Sequence, residues 1–326
     1  MGVRFHRQGE RQAASLATPL TLELVLKRNR GLESLYIHVD KWMRLSMMQA
    51  HLKLPIGVTV RDPSGARYVI EGLLTRGKGD AVYLVRDRQS KQVFALKEVV
   101  DPSSPDRERF LFEGEVLKQL RHPALPRVYR VFEHEQLKRV YLLMDYIGGQ
   151  NLEEMGREQP AGRYSLPVAL SLLAPIVDAV SYLHTQEPPI VHRDLKPANI
   201  LMPVGANETM LVNFGFAKHY IADATTALIR RGTSGYAAPE QYWGGTTPRT
   251  DIYGLGATLY TLLTGITPPD AISRVMRSKG TDPLKLAHLL TPTIPVHISE
   301  VIGRAMSIRE AQRFATVKEF WWALTG

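Results

Sequence analysis

The sequence contains no cysteine in 326 residues. That excludes a disulfide framework, a cysteine-ligated zinc site and thiolate catalysis, and it fits a reducing compartment. No run reaches the ~18 uninterrupted apolar residues of a membrane span. The nearest, Val168–Leu183, is broken by Pro175 and Asp178. The N-terminus lacks an apolar h-region, so no secretory signal is expected. Gly2 is followed by His6 where a myristoylation pattern needs Ser or Thr. A cytoplasmic location is the expectation. Internal repeats and low-complexity tracts are missing. So are a zinc finger, a helix-turn-helix signature and an aromatic-interleaved basic motif, so nucleic acid is not an expected partner.

What is present is ordinary globular composition, 44% hydrophobic and 22% charged, with 25 Gly and 21 Pro. The length suits one large or two modest domains. The formal charge is +9. The plainer reading of that charge is a solvated basic surface; the sharper ones are an anionic membrane surface or an acidic protein partner. Residues 1–47 stand apart, polar and basic, with Arg4, Arg7, Arg11, Lys27, Arg28 and Arg30. They read as a flexible basic arm or as an extension from an upstream start codon. The second is favoured, because the domain pattern begins just after Met48.

From Tyr68 to Tyr146 short β-rich runs dominate: Tyr68-Val-Ile, Ala81-Val-Tyr-Leu-Val, Gln92-Val-Phe-Ala-Leu-Lys and Arg139-Val-Tyr-Leu-Leu-Met-Asp-Tyr. Arg107–Leu120 reads as a helix on the spacing of its apolar residues. Gly148-Gly149 is a natural hinge. Helices follow: one from an N-cap at Ser165, with Pro167 in its first turn, to about His184, then Asp251–Thr264, Ile298–Met306 and Val317–Leu324. A β-rich front and an α-rich rear predict an α+β chain of two lobes with a cleft between them. The boundaries are 60–146 for the small lobe and 150–326 for the large one.

The most informative segment is Val191-His-Arg-Asp-Leu-Lys-Pro-Ala-Asn-Ile-Leu201. It matches the H-R-D-L-x-x-x-N catalytic loop residue for residue. Its chemistry explains its spacing. A carboxylate, Asp194, accepts or orients the proton of an attacking hydroxyl. An amide five residues on, Asn199, holds Mg²⁺. Lys196 between them sets a cation on the transferring phosphoryl group. On these residues the chain, from about Tyr68 to Leu324, resembles the eukaryotic-type (Hanks-type) serine/threonine protein kinases of bacteria. Lys196, two residues after the aspartate, resembles the Ser/Thr class rather than the Tyr class.

The resemblance implies a bilobal protein-kinase-like fold, with ATP and Mg²⁺ or Mn²⁺ as cofactors and a protein Ser/Thr as acceptor. Lys97 in Ala95-Leu-Lys97 matches the strand lysine that grips the α/β-phosphates. Glu113 is its helix partner by position. Glu115 is the alternative, about 200° away around the helix. Met144 is the gatekeeper, Asp145–Ile147 the backbone strip for adenine, and Val82, Ala95 and Leu201 the residues that sandwich its ring. Gly235-Tyr-Ala-Ala-Pro-Glu240 resembles the platform for a protein substrate, which argues against a small-molecule kinase of related fold. Glu240 should pair with Arg313. Asp251 should anchor the backbone of the catalytic loop; its plainer reading is a partner for the helix dipole. Thr233 should contact Asp194 and Lys196. Thr225 or Thr226 is the expected phosphosite of a loop that also carries Arg230 and Arg231, with Arg193 to receive the phosphate.

Three departures fall on the phosphate and metal site. Asn213-Phe-Gly215 stands where the family has Asp-Phe-Gly. An amide brings one neutral oxygen where Mg²⁺ prefers anionic ones, so metal affinity should fall. Aligned on Val82, the glycine-rich loop reads Thr75, Gly77 and Asp80, with the middle glycine alone in register. A carboxylate at Asp80 either repels the triphosphate or replaces the one lost at Asn213. The expected function is ATP-dependent phosphorylation of protein Ser/Thr with weakened metal binding. The rival is a pseudokinase, a nucleotide-binding or scaffold protein.

Overall fold

Alternation along the front strands gives one sheet two useful faces. Strands β1 (Thr59–Arg61), β2 (Arg67–Arg76), β3 (Asp80–Asp87), β4 (Val93–Val100), β5 (Val128–His134) and β6 (Arg139–Asp145) pair antiparallel in the order β1-β2-β3-β4-β6-β5. The register sets Val82 opposite Lys97, Leu84 opposite Ala95, Ala95 opposite Met144 and Lys97 opposite Leu142. Paired residues share a face. Val82, Ala95, Lys97 and Met144 therefore lie on one side. Tyr83, Val85, Leu96, Tyr141 and Leu143 lie on the other and form a core with Val60, Tyr68, Ile70 and Phe132.

The sheet curls until its two edges meet. Arg130 of β5 reaches the Asp62 carboxylate and the Ser64 hydroxyl in the turn after β1. Burial works against the Asp62 charge. The Ser64 and Ala66 donors and Arg130 outweigh it and hold the carboxyl below its ordinary pKa. Helix α1 (Ser104–Gln119) turns Phe110, Gly114 and Leu117 inward, one stripe at helical spacing. Gly114 sets how close it comes, since a Cβ there would lie 2.5 Å from Val131 and 2.8 Å from Leu142.

The computed structural model describes residues 54–76, 80–100, 104–134, 138–214, 217–220, 232–277 and 282–326. All belong to one compact unit, Leu52–Gly326, distinct from a first unit, Met1–His51. The small lobe begins earlier than residue 60: the Leu54 N–H already donates to the Tyr83 hydroxyl at 3.0 Å.

The rear is helical: α2 (Leu152–Glu158), α3 (Leu166–His184), α4 (Glu240–Trp243), α5 (Pro248–Thr264), α6 (Ala271–Arg277), α7 (Ala287–Leu290), α8 (Val296–Ala305) and α9 (Val317–Thr325). Short strands stitch its loops: β7 (Gly149–Asn151), β9 (Ile200–Pro203) and β10 (Met210–Leu211) in one sheet, β8 (Ile190–Val191) with β11 (Lys218–His219) in another. Helix α3 is long and apolar enough to cross a membrane by length and composition alone. Its Ala169, Leu173, Ile176, Val180 and Leu183 pack into the large-lobe core.

The caps of α3 and α5 differ from the sequence reading. Ser165 stands at the N-cap of α3 but makes no side-chain capping bond. A capping hydroxyl serves the N–H two or three residues on, and Pro167 has removed one of these. Helix α5 begins before Asp251, capped at Thr247 by a reciprocal pair with Thr250. That frees Asp251 for another task.

Candidate active site

Asp251, in the first turn of α5, is fully buried and organises the loop between β8 and β9. One of its oxygens accepts the His192 N–H at 2.8 Å and faces His184 Nε2 at 2.9 Å. The other accepts the Arg193 N–H at 2.8 Å. Burial pushes its carboxyl up; His184, His192 and the Arg193 N–H pull harder and leave it below the ordinary carboxylate range. The helix-dipole reading of Asp251 is thus too small. The two backbone bonds hold the loop while Arg193 takes φ 65°, a left-handed conformation that costs a bulky residue about 1–2 kcal/mol.

The next residue, Asp194, is buried with both oxygens engaged. Oδ1 accepts the Thr233 hydroxyl at 2.7 Å, and Oδ2 accepts Asn199 Nδ2 at 2.7 Å. Lys196 Nζ lies 3.1 Å from Oδ2 and donates to Thr233 Oγ1 at 2.7 Å. The expected contact of Thr233 with both residues is therefore present. Gln241 braces the loop from behind through the Arg193 carbonyl at 2.8 Å.

Asn213, an exposed residue, borders this cluster at φ 69°. Asn is among the few non-glycine residues that take this conformation readily. Phe214 after it is buried, its ring edge-on to His192 at 4.8 Å. Asn213 Nδ2 sits 3.3 Å from Asn199 Oδ1 and 3.5 Å from Asp194 Oδ2.

On the small lobe, Lys97 is buried, its ammonium 5.6 Å from the Phe110 ring centre. Glu113 falls within α1, but its side chain lies outside the described residues, as do Gly77, Thr225, Thr226, Arg230 and Arg231. Glu115 is excluded as the lysine's partner: it is exposed and pairs with Lys118 at 3.2 Å. Thr75 pairs with Val82 beyond a bulge. Asp80, two residues before Val82, shares its face by alternation, yet the amide contacts of Asn213 go to Asp194 and Asn199, not to Asp80.

Beyond Met144, the Asp145 N–H donates to the Arg127 carbonyl at 3.0 Å. The Asp145 carboxylate accepts the Arg127 N–H at 2.9 Å and the Tyr129 hydroxyl at 2.8 Å. That bond, with burial, raises the Tyr129 pKa. The side chain is thus turned behind the hinge, where sequence reasoning missed a cavity of about 520 Å³ lined by Phe94, Tyr129, Tyr146, Val204 and Met210. Ile147 is half-buried. The Val204 N–H binds the Gly148 carbonyl at 2.8 Å, and Asn151 pairs with Leu201, so Leu201 lies beside the hinge. Farther back, Arg313 and Glu240 form the expected pair, bidentate at 2.7 and 2.9 Å.

The sheet face and hinge suit a nucleotide: apolar Val82, Ala95 and Leu201 beside a backbone strip, with Lys97 on the same face as Val82. The donor set for a hard divalent cation does not fit. Two positions carry neutral amides, the one carboxylate is already saturated, and among the described residues no group of three His, Asp or Glu side chains could hold a metal ion.

Residues 68–311 match the family model described as protein kinase domain. The chain is 29% identical over 269 residues to the probable serine/threonine-protein kinase CE0033 of Corynebacterium efficiens, covering 78% of this chain and 40% of that one. It is 32% identical over 270 residues to serine/threonine-protein kinase PknJ of Mycobacterium tuberculosis, covering 78% and 44%. The chain thus spans about two fifths of the length of these bacterial relatives. The solved PknI kinase domain of Mycobacterium tuberculosis superposes with a TM-score of 0.64 at 24% identity, over 83% of this chain and 98% of that one; this likeness concerns the fold.

Proposed function

The chain belongs to the protein kinase family, and we propose that it transfers the γ-phosphoryl group of ATP to serine or threonine of a protein, with divalent-metal affinity well below that of a site carrying a carboxylate at position 213. The observation that supports this most is the assembled loop: Asp194 aimed by Asp251 and joined to Lys196, Asn199 and Thr233. The acceptor oxygen attacks the γ-phosphorus, the bond to the β–γ bridging oxygen breaks, the acceptor proton passes to Asp194, and ADP leaves. Lys196 lies where it neutralises the moving phosphoryl. Lys97, Glu113 and Gly77 are the residues assigned to the phosphates. The adenine ring lies between Val82, Ala95 and Leu201, against Met144, with Asp145 and Ile147 supplying backbone bonds. Asn199 and Asn213 are the residues a metal would meet, through neutral oxygens alone.

A second reading, a pseudokinase that binds nucleotide or serves as a scaffold, is favoured by Asn213, Thr75 and Asp80 together. Phosphate transfer from ATP to protein Ser/Thr, measured with Mg²⁺ and with Mn²⁺, separates the two. The kinase reading expects Asp194→Ala to lower the rate about a hundredfold or more. Transfer no faster than in Asp194→Ala, with ATP binding intact, decides for the pseudokinase.

Residues 1–47 carry no motif of this site and lie outside the described residues. A chain beginning at Met48 is expected to keep its melting temperature within a few degrees. A large loss of soluble protein would contradict this.

A further inference from the structure

The amide of Asn213 is oriented by its neighbours. A carboxylate only accepts, so Asn199 must turn its NH₂ to Asp194, where it donates to Oδ2 and to the backbone carbonyl, both at 2.7 Å. That leaves Asn199 Oδ1 as an acceptor on the opposite side. Asn213 then faces two acceptors, Asn199 Oδ1 at 3.3 Å and Asp194 Oδ2 at 3.5 Å, and only its NH₂ end can face both. A positive edge thus lies against Asn199 Oδ1, the oxygen that residue would offer a divalent cation, with Asp194 Oδ2 beside it. A carboxylate at 213 would set a third acceptor against them and would need a cation to relieve it. Asn213 needs none, and it keeps the left-handed backbone that aims Phe214 inward.

We propose that this site binds ATP as the metal-free anion, the Asn213 NH₂ occupying the Asn199 oxygen that a cation would otherwise take. The inference rests on the nucleotide reading above and deepens it. The free triphosphate carries more negative charge than its magnesium complex. Lys97 on the sheet and Lys196 in the loop supply the positive charge that meets it, in a chain already at +9.

Titration calorimetry of ATP into the full chain, in excess EDTA and in excess magnesium chloride, tests the proposal. The two dissociation constants should agree within about twofold, whereas tightening by about tenfold or more on adding magnesium overturns it. Asn213→Asp should reverse the pattern, binding ATP at least about tenfold tighter with magnesium than with EDTA. Its melting temperature in EDTA should fall by several degrees and recover on adding magnesium, while the wild-type melting temperature does not respond to the metal. If Asn213→Asp does not fold, the wild-type pair of titrations decides alone. ATP binding in neither condition overturns the nucleotide reading itself, and so differs from metal-dependent binding, which overturns the inference and leaves that reading standing.

Discussion

Arg313→Met should destabilise the large lobe by about 3–5 kcal/mol, because it strips the partner from a buried carboxylate. The Arg313 guanidinium is entirely enclosed. It binds Glu240 twice, at 2.7 and 2.9 Å, and donates to the carbonyls of Ser307 at 2.9 Å and Arg249 at 3.0 Å. Tyr253 lies under it at 5.1 Å. Methionine fills part of the volume and supplies none of the donors. Glu240 then keeps one bond, from the Thr250 hydroxyl at 2.8 Å. The pair ties the segment after Thr233 to the region before the last helix, so residues 235–240 should loosen with it. Urea unfolding would measure the loss. Combining Arg313→Met with Glu240→Gln should recover part of it, since the stranded charge is then gone. A loss below about 1 kcal/mol, the range of an exposed pair, would show that Glu240 reaches water once its partner is removed.

Local chemistry was the legible part of this molecule. The ten residues after Val191 are legible because they bring Asp194, Lys196 and Asn199 together in one short run; the braces that hold them, Asp251, Thr233 and Gln241, lie far along the chain. The Glu240–Arg313 pair was legible too, although 73 positions separate the partners, because the family resemblance implies it by position; nothing local in either segment announces it. Other features escaped for reasons of size or distance. Strand β1 has three residues with only Val60 buried, too little for periodicity to register. Strand β5 alternates imperfectly, its exposed Tyr129 and Arg130 adjacent. The closure of the sheet by Arg130 on Asp62 joins residues 68 apart, and no local pattern announces it. The cavity behind the hinge arises from the way Asp145 turns, which depends on Arg127 and Tyr129.

Asn213 shows the limit differently. Its identity alone signals lost charge and weakened metal binding. Which end of the amide faces Asp194 depends on the order of donors through Asn199, and that order exists only in three dimensions. The same applies to the left-handed backbone at Arg193 and Asn213. Neither residue type demands it; the bonds from Asp251 and the burial of Phe214 impose it.

Asp251→Asn should have the largest combined effect on stability and catalysis. Asparagine keeps the shape but offers one oxygen where three donors converge, and its NH₂ must oppose an N–H of the loop. Losing charge-assisted bonds and leaving a buried donor unpaired costs about 3 kcal/mol, or about 6–12 °C in melting temperature for a lobe of this size. Arg193 then has no reason to hold its left-handed conformation, and Asp194 beside it loses its aim. If the chain is active, phosphate transfer should fall while ATP affinity stays close to wild type, since the adenine strip lies elsewhere. The pH dependence supplies a second signature. Asp251 has a depressed pKa when folded. Its stabilisation is therefore complete above its unfolded value of about 4 and disappears as pH falls through the lower, folded value. The carboxylate's share of the stability gap between wild type and Asp251→Asn should be present in full above about pH 5 and narrow below pH 4. Asp62 and Asp282 also have depressed values, but both proteins share them, so they cancel in the difference. A gap that stays constant down to pH 3 would show that the Asp251 carboxylate gains nothing from its charge in the fold.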